Sequence, residues 1–175
     1  ASSFFKDADM NFVFLGMLGG AYFGVTDVGT ALAIIDQTED GNAASAFAAL
    51  TTNGARVRTM ADAARAAGRH ASARESYLQA SNYIFAATYF CDKMGAPEKM
   101  IPTWKSSRTA FDAGTALFER PVEHLKIPYE GTTLPGYFFK VDAGNTPRPL
   151  LILVNGSDGS MLDMLVMAGG YAGLD

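Results

Sequence analysis

The spacing of apolar and polar positions divides the chain near residue 120. Before that point alanine is dense, β-branched runs are rare and apolar residues recur three or four positions apart. After it come five prolines, with alternating or continuous apolar runs between them. The pattern predicts an all-helical domain over residues 1–119, with helices from residue 8, and the start of an α/β region over residues 120–175.

Several helices are predicted in the first domain. Residues 10–26 form the longest uncharged run and are predicted to be a buried, tightly packed helix. Residues 43–67 are rich in good helix formers, and Gly68 ends that run. The next helix places its apolar residues on one face, namely Ala73, Tyr77, Ala80, Ile84 and Ala87. A break over residues 95–102 precedes an amphipathic helix over residues 103–119.

The period changes from 3.6 to 2 in the second region. Residues 122–129 alternate, residues 130–133 are typical of a turn, and residues 134–141 form a second run, which together predict a hairpin. Residues 150–154 are five consecutive apolar residues, typical of a central strand buried on both faces. A glycine-rich loop over residues 155–160 and a helix over residues 161–167 follow. Such a strand needs neighbours, so we expect a partner chain or a longer polypeptide to complete the sheet.

Composition and charge exclude several classes of function. The net charge is −4 and no basic stripe occurs, which argues against nucleic-acid binding. A single cysteine, Cys91, excludes a disulfide framework and a four-cysteine zinc site. The longest uncharged run has 17 residues, fewer than the roughly 20 that span a membrane. It also lacks the basic start of a secretory signal, so we assign the chain to the cytoplasm.

The sequence gives little support for a metal site or a catalytic histidine. Residues 36–41 match the first half of a calcium loop, but its twelfth position would be Phe47 instead of glutamate. His70 follows a helix break and is predicted to be a solvated or capping residue. His124 is predicted to be structural, because a catalytic histidine needs a nucleophile and an orienting acid beside it. Cys91 is predicted to be a core thiol. We therefore expect no metal and no cofactor.

The glycine-rich loop is the best candidate for chemistry. A loop between a strand and a helix presents backbone N–H groups that can stabilise negative charge. Residues 156–160 fit neither the phosphate-binding pattern, which needs a lysine after the last glycine, nor the dinucleotide pattern G-x-G-x-x-G. An oxyanion hole remains. The alternative is a plain turn that caps a helix through Ser157, Asp158 or Ser160.

Residues 120–160 resemble the start of an α/β-hydrolase. The most specific piece is the hairpin Ile-Pro-Tyr-Glu-Gly-Thr-Thr-Leu-Pro-Gly-Tyr, residues 127–137. The helix Arg-His-Ala-Ser-Ala-Arg-Glu-Ser-Tyr-Leu-Gln-Ala-Ser-Asn-Tyr, residues 69–83, is similar to the leading domain of one subgroup. That subgroup carries a helical cap ahead of the core and includes 2,6-dihydroxypseudooxynicotine hydrolases and fungal polyketide-shortening hydrolases. The resemblance covers residues 55–175.

The resemblance implies a serine hydrolase whose catalytic triad lies outside this chain. In such enzymes the loop after the third strand supplies one oxyanion-hole N–H. Here that loop contains Gly156, Ser157 and Asp158, with the Ser157 N–H as first choice and the Asp158 N–H as second. No G-x-S-x-G motif occurs, and the family order places the serine, acid and histidine after this loop. The resemblance therefore implies an α/β-hydrolase core of which only the first strands are present.

Aromatic residues of the cap are candidates for substrate binding. Phe14, Tyr22, Phe23 and Trp104 could line a pocket between cap and core, as would suit an aromatic or polyketide-like substrate. The alternative is that they pack the helical domain. A homodimer through that domain is also plausible for the subgroup.

Two functions compete at this point. The first is hydrolysis of an acyl, ester or activated C–C bond in a small molecule through an acyl-enzyme. Its expected partner is the C-terminal remainder of the hydrolase, in the same polypeptide or in a second chain. The second is a non-catalytic helical interaction module on a degenerate α/β scaffold. A G-x-S-x-G motif downstream of residue 175, followed by an acid and a histidine, would favour the enzyme.

Overall fold

The computed structural model describes residues 3–120, 122–142, 144, 146–156 and 158–165. Its helices are α1 Ala8–Gly19, α2 Val28–Asp36, α3 Ala43–Ala66, α4 His70–Ala87 and α5 Met100–Thr115. Short 3₁₀ turns occupy Gly20–Phe23, Thr88–Phe90 and Pro97–Lys99. The strands are β1 Val122–Tyr129 and β2 Thr132–Phe139, and residues 161–165 are helical.

A tight pair of helices, α3 and α4, forms the centre of the helical region. Gly68 adopts a left-handed φ of 73° just after α3, and the Arg69 N–H bonds the Ala64 carbonyl at 2.9 Å. This turn closes the C-terminus of α3 and lets α4 return beside it. The predicted apolar face of α4 is confirmed, because Ala73, Tyr77, Ala80, Ile84 and Ala87 are all buried.

Gly54 permits the close approach of α3 to α4. A Cβ at this position would lie 2.5 Å from Ile84 Cγ1 and 3.4 Å from the Ile84 backbone nitrogen. Because Ile84 is itself buried in α4, neither atom can move aside without shifting the helix.

We expect Gly54→Ala to lower the free energy of unfolding by about 1–3 kcal/mol through overpacking, measured by urea denaturation. The matched control is Gly16→Ala in α1, where a new Cβ meets nothing within 4 Å. There alanine should raise stability by about 0.5–1 kcal/mol, because it restricts the unfolded chain and favours helix. Equal stability changes in the two variants would contradict the close packing at Gly54.

The main core lies beneath α1, α2 and the middle of α3 and α4. Phe14 of α1 is fully buried there, with its ring 5.0 Å from Phe5 and 6.1 Å from Phe90. The prediction of one buried helix over residues 10–26 is wrong. The α-helix ends at Gly19, and Phe12 leaves 76% of its surface exposed, because only one stripe of α1 faces the core.

Tyr83 joins the start of α2 to α4. Its hydroxyl accepts the Asp27 N–H at 2.8 Å and faces the Asp27 carbonyl at 3.3 Å, and its ring is fully buried. Burial is the main reason that the pKa of Tyr83 rises to about 12. The Asp27 carboxylate in turn accepts the Thr30 N–H and caps α2. The contact fixes where α2 begins.

The predicted hairpin is confirmed, with a tighter turn than expected. β1 and β2 pair antiparallel with Tyr129 opposite Thr132, so only Glu130 and Gly131 form the turn. Both have positive φ, 41° and 79°, which matches the twist of a two-residue hairpin. The second strand therefore begins at Thr132, two residues before the expected start.

Residues 150–154 do not form the predicted buried strand in the described structure. They carry no strand pairing, and four of their side chains, Leu150, Leu151, Ile152 and Val154, are 56–83% exposed. A strand exists only when a neighbour pairs with its N–H and C=O groups, and the one sheet among the described residues is the hairpin. The α/β-hydrolase core predicted for residues 120–175 is therefore not confirmed, and the two-domain division stays a prediction.

A second apolar cluster attaches the hairpin and the last described residues to the helices. α5 begins three residues before the predicted start and ends at Thr115. Phe111 of α5 packs its ring edge-on against Tyr137 of β2, 5.0 Å between centroids. Leu162 and Leu165 of the predicted helix over residues 161–167 join this cluster, and residues 166–167 lie outside the described residues. Because the same cluster contains Leu78 of α4 and Phe111 of α5, residues 161–165 lie beside those two helices.

Candidate functional site

A small cleft lies where α4 and α5 meet β2 and the glycine-rich loop. Its volume is about 100 Å³, below the roughly 300–1,000 Å³ of a full ligand pocket. The wall is formed by side chains and loop residues from four parts of the chain, namely Ser81, Phe85, Trp104, Ser107, Arg108, Phe111, Pro135, Asn155, Gly159, Ser160, Met161 and Leu162. The cleft therefore suits one substituent of a larger molecule.

The carbonyl groups of the glycine-rich loop are held by side chains. Asn155 Nδ2 donates to the carbonyls of Gly156 and Gly159 at 3.2 and 2.9 Å. The Tyr89 hydroxyl, from the turn after α4, donates to the Asp158 carbonyl. Burial, and then the nearby Asp163 and Asp158, raise the pKa of Tyr89, so its hydroxyl keeps the proton that it donates.

Two backbone N–H groups of this loop have no hydrogen-bond acceptor among the described residues, so they could bind a ligand. Within the described part of the chain the N–H groups of Gly156 and Asp158 donate to no protein atom, whereas the Gly159 N–H bonds the Gly156 carbonyl. Ser157, the first choice for the oxyanion N–H, lies outside the described residues. A developing oxyanion requires an N–H group that has no other acceptor, with no carbonyl oxygen directed at the oxyanion.

The loop runs directly into a capped helix start. The Ser160 hydroxyl accepts the Asp163 N–H at 3.3 Å, and the Asp163 carboxylate accepts the Ser160 N–H at 2.6 Å. This reciprocal arrangement is a capping box, with aspartate at the position that glutamate or glutamine usually occupies. Among the capping residues considered in the plain-turn alternative, Ser160 caps this helix, and Ser157 lies outside the described residues.

A polar network closes the side of the cleft near β2. Arg108 Nε donates to the Tyr137 hydroxyl, which donates to Asp112 Oδ1. Arg108 Nε lies 3.6 Å from the same carboxylate oxygen, and the guanidinium carbon is 4.9 Å from the centre of the Tyr137 ring. Burial, followed by the Asp112 carboxylate, raises the pKa of Tyr137, which therefore stays neutral at physiological pH.

The structure separates the four side chains predicted to bind substrate. Phe14 is fully buried in the helical core. Tyr22 and Phe23 are exposed and pack edge-on against each other at 5.0 Å. Trp104 is 38% exposed and lines the cleft beside the loop. The four residues do not share one pocket among the described residues, and their role in substrate binding stays a prediction.

Sequence reasoning missed three residues of the site. Tyr89 and Arg108 carry no local signal, because each gains its role from a contact with a distant segment, Asp158 and Tyr137 respectively. Tyr137 lies in the hairpin motif quoted above but was not singled out. The alternation of β2 could have placed it on the face that meets the helices.

The histidines, the cysteine and the calcium-like segment considered in the sequence analysis take part in packing, in a helix start or in backbone hydrogen bonds. His124 packs edge-on against Tyr137 at 4.8 Å, His70 begins α4, and Cys91 is fully buried. The Asp40 carboxylate accepts the N–H groups of Lys6 and Asp7 and so anchors the start of the chain. In the described ranges no cluster of three or more acidic, histidine or cysteine side chains could hold a metal ion. None of the described helices combines the length and apolar character of a membrane span.

Comparison with known proteins points to one class of enzyme. No protein-family model matches the chain. "Alpha/beta hydrolase psoB" of Aspergillus fumigatus is 31% identical over 160 residues, which are 89% of this chain and 36% of that protein. "Alpha/beta hydrolase xenA" of Xenoacremonium sinensis is 32% identical over 88% of this chain and 37% of that protein. "Hydrolase acrC" of Aspergillus aculeatus is 28% identical over 96% of this chain and 39% of that protein. The chain thus spans less than two fifths of these relatives.

Proposed function

Since the chain is a relative of fungal α/β-hydrolases, as its sequence resemblance predicted, we propose that it contributes the oxyanion-binding loop of a serine hydrolase. The bond cleaved is an acyl, ester or activated C–C bond. The attacking serine, its histidine and its acid lie outside these 175 residues, which contain no G-x-S-x-G motif. No cofactor takes part.

The proposed reaction proceeds through an acyl-enzyme. The serine Oγ attacks the substrate carbonyl while histidine takes its proton, and the carbonyl oxygen becomes an oxyanion. An N–H group of Ser157 or Asp158 stabilises that oxygen. The bond to the leaving group then breaks, and histidine returns the proton to it. Water attacks the acyl-enzyme in the same way and releases the acid.

One observation carries the proposal within this chain. The Asp158 N–H donates to no described residue, whereas the Asp158 carbonyl is held by Tyr89 from the helical region. Tyr89 therefore fixes the peptide unit that follows Asp158, and the Asp158 N–H belongs to the unit directly before it. Preorganised donors lower the cost of stabilising charge in the transition state, because they need no reorganisation during reaction.

Trp104 and the cleft support a substrate with an aromatic or polyketide-like part. Trp104 is 38% exposed and lies in the same wall as Asn155, Gly159 and Ser160 of the loop. A substituent in this cleft would hold the scissile carbonyl near the loop. Among the four predicted substrate-binding residues, Trp104 is the one that the proposal retains at the cleft.

A fluorophosphonate probe tests the proposed function. The complete polypeptide that contains this chain should react with the probe at one serine, and mass spectrometry of the digest should locate that serine in a G-x-S-x-G motif outside these residues. Hydrolysis of an aryl ester should stop once the serine is modified. A folded polypeptide with no labelling and no ester turnover would contradict the proposal and favour the non-catalytic interaction module.

Removal of the Tyr89 hydroxyl should lower kcat. In Tyr89→Phe the ring keeps its edge-on contact with Phe85, 5.7 Å between centroids, but the Asp158 carbonyl loses its donor. We expect kcat to fall about tenfold with little change in KM, since small misplacements of a catalytic group cost rate. Tyr129→Phe, at an exposed tyrosine of β1, is the matched control. An unchanged kcat in Tyr89→Phe would show that the hydroxyl does not position the loop.

A further inference from the structure

Among the described residues that line the cleft, Arg108 is the one basic side chain. It leaves 21% of its side chain exposed, and its Nε is already engaged by Tyr137 and Asp112. Its two terminal nitrogens make no hydrogen bond or ion pair with any described residue. Each terminal nitrogen carries two N–H groups, so four donors remain for a ligand.

The surroundings hold the guanidinium in place. Its central carbon lies 4.9 Å from the centre of the Tyr137 ring and 5.8 Å from the centre of the Trp104 ring. Both rings favour the cation through its attraction to their faces. The Tyr137 hydroxyl fixes Nε, which leaves the edge with the terminal nitrogens for another partner. A planar side chain that is held on two sides is preorganised for two parallel hydrogen bonds.

Nearby acidic groups make no hydrogen bond or ion pair with the terminal nitrogens of Arg108 within the described residues; Asp112 pairs with its Nε. The Asp112 carboxylate accepts a hydrogen bond from the Tyr137 hydroxyl, and it forms an ion pair with Arg108 at Nε, 3.6 Å away, which is longer than a hydrogen bond. Asp163 is engaged by the N–H and hydroxyl of Ser160. The remaining walls include Phe85, Phe111 and Pro135, which provide apolar contact. The cleft therefore combines one available cation with an apolar, aromatic wall.

We propose that this cleft is a subsite for a carboxylate carried on a flat apolar group, with the carboxylate on the terminal nitrogens of Arg108 and the ring against Trp104. The inference deepens the proposed function, since it assigns an acidic substituent to the substrate of the adjoining loop. It does not depend on turnover, because binding in the cleft can be measured without the reaction.

Calorimetry and Trp104 fluorescence measure the binding, and Trp104 is the single tryptophan of the 175-residue chain. Benzoate and benzamide have the same shape and differ in charge. Titrated into the complete polypeptide and followed by calorimetry, benzoate should bind with a dissociation constant about tenfold lower than that of benzamide, which lacks the ionic attraction. A Trp104→Phe variant of the same polypeptide identifies the part of the fluorescence change that comes from Trp104.

Arg108→Gln and Arg108→Lys test the assignment. Arg108→Gln should abolish the preference for benzoate over benzamide, whereas Arg108→Lys, which keeps the charge but not the fork, should retain part of it. Lys105→Gln removes the same charge from an exposed position of α5 outside the cleft and should leave the preference intact. Circular dichroism verifies that each variant is folded.

The outcomes separate this inference from the proposed function. Equal binding of benzoate and benzamide, or a benzoate preference that survives Arg108→Gln, would overturn the subsite even if the polypeptide is an active hydrolase. A preference that disappears in Arg108→Gln alone would support the subsite even if no ester is hydrolysed.

Discussion

Deleting one backbone N–H from the glycine-rich loop is expected to lower kcat about 100-fold or more, the usual cost of losing an oxyanion-hole donor. Proline lacks the N–H group, so Ser157→Pro and Asp158→Pro each remove one candidate donor from the complete polypeptide. At least one of the two variants should show this loss with an aryl ester as substrate. The reason is electrostatic, because the oxyanion then lacks a partner at the moment when its charge develops.

Alanine variants provide the control for that experiment. Ser157→Ala and Asp158→Ala keep the N–H group and remove the side chain, so a loss of at most a few-fold is expected. The Asp158 carboxylate is exposed, which is consistent with a small contribution from the side chain. Thermal unfolding verifies that the proline variants are folded. Full kcat in both folded proline variants would contradict the role of this loop.

Phe14→Ala is expected to lower the free energy of unfolding by about 3–5 kcal/mol, the typical cost of a large cavity in a core. Phe14 is fully buried and its ring packs against those of Phe5 and Phe90, so truncation leaves a void beside both rings. Urea denaturation measures the effect. The same substitution in a substrate-binding residue would instead raise KM while the stability stays near that of the wild type.

Phe12→Ala is the matched control on the same helix. Phe12 is 76% exposed, so its truncation should change stability by no more than about 0.5 kcal/mol. The pair distinguishes the buried stripe of α1 from its exposed side. Equal losses in Phe12→Ala and Phe14→Ala would contradict the orientation of α1 in the core.

The sequence pattern alone predicted the helix pair and the hairpin, because each forms between neighbouring segments of the chain. Gly68 separates two alanine-rich helices, and the turn at Glu130 and Gly131 joins two runs with a period of two, so both pairs were predicted from the sequence. The buried face of α4 followed from three- and four-residue spacing. The starts of β2 and of α5 differ from the predicted ones by two and three residues, and the end of α5 differs by four.

Features that depend on distant partners could not be predicted in this way. Residues 150–154 are apolar enough for a central strand, but strand formation requires a neighbour that no local pattern supplies. Phe12 and Phe14 are both apolar, and their different burial follows from which stripe of α1 meets Phe5 and Phe90. Tyr89 gains its role from a carbonyl 69 positions further along the chain. The loop was singled out from its glycines and its place after an apolar run, and the family resemblance gave its expected role, whereas its contact with Tyr89 was not predicted.

A crystal structure of the complete polypeptide, inactivated by a phosphonate ester, tests the central claim most directly. The phosphonyl oxygen occupies the place of the oxyanion in such an adduct. We predict that it lies about 2.7–3.1 Å from the backbone nitrogen of Ser157 or Asp158, the distance of an oxyanion-hole hydrogen bond. An adduct whose oxygen is bound only by groups outside residues 156–158 would contradict the account.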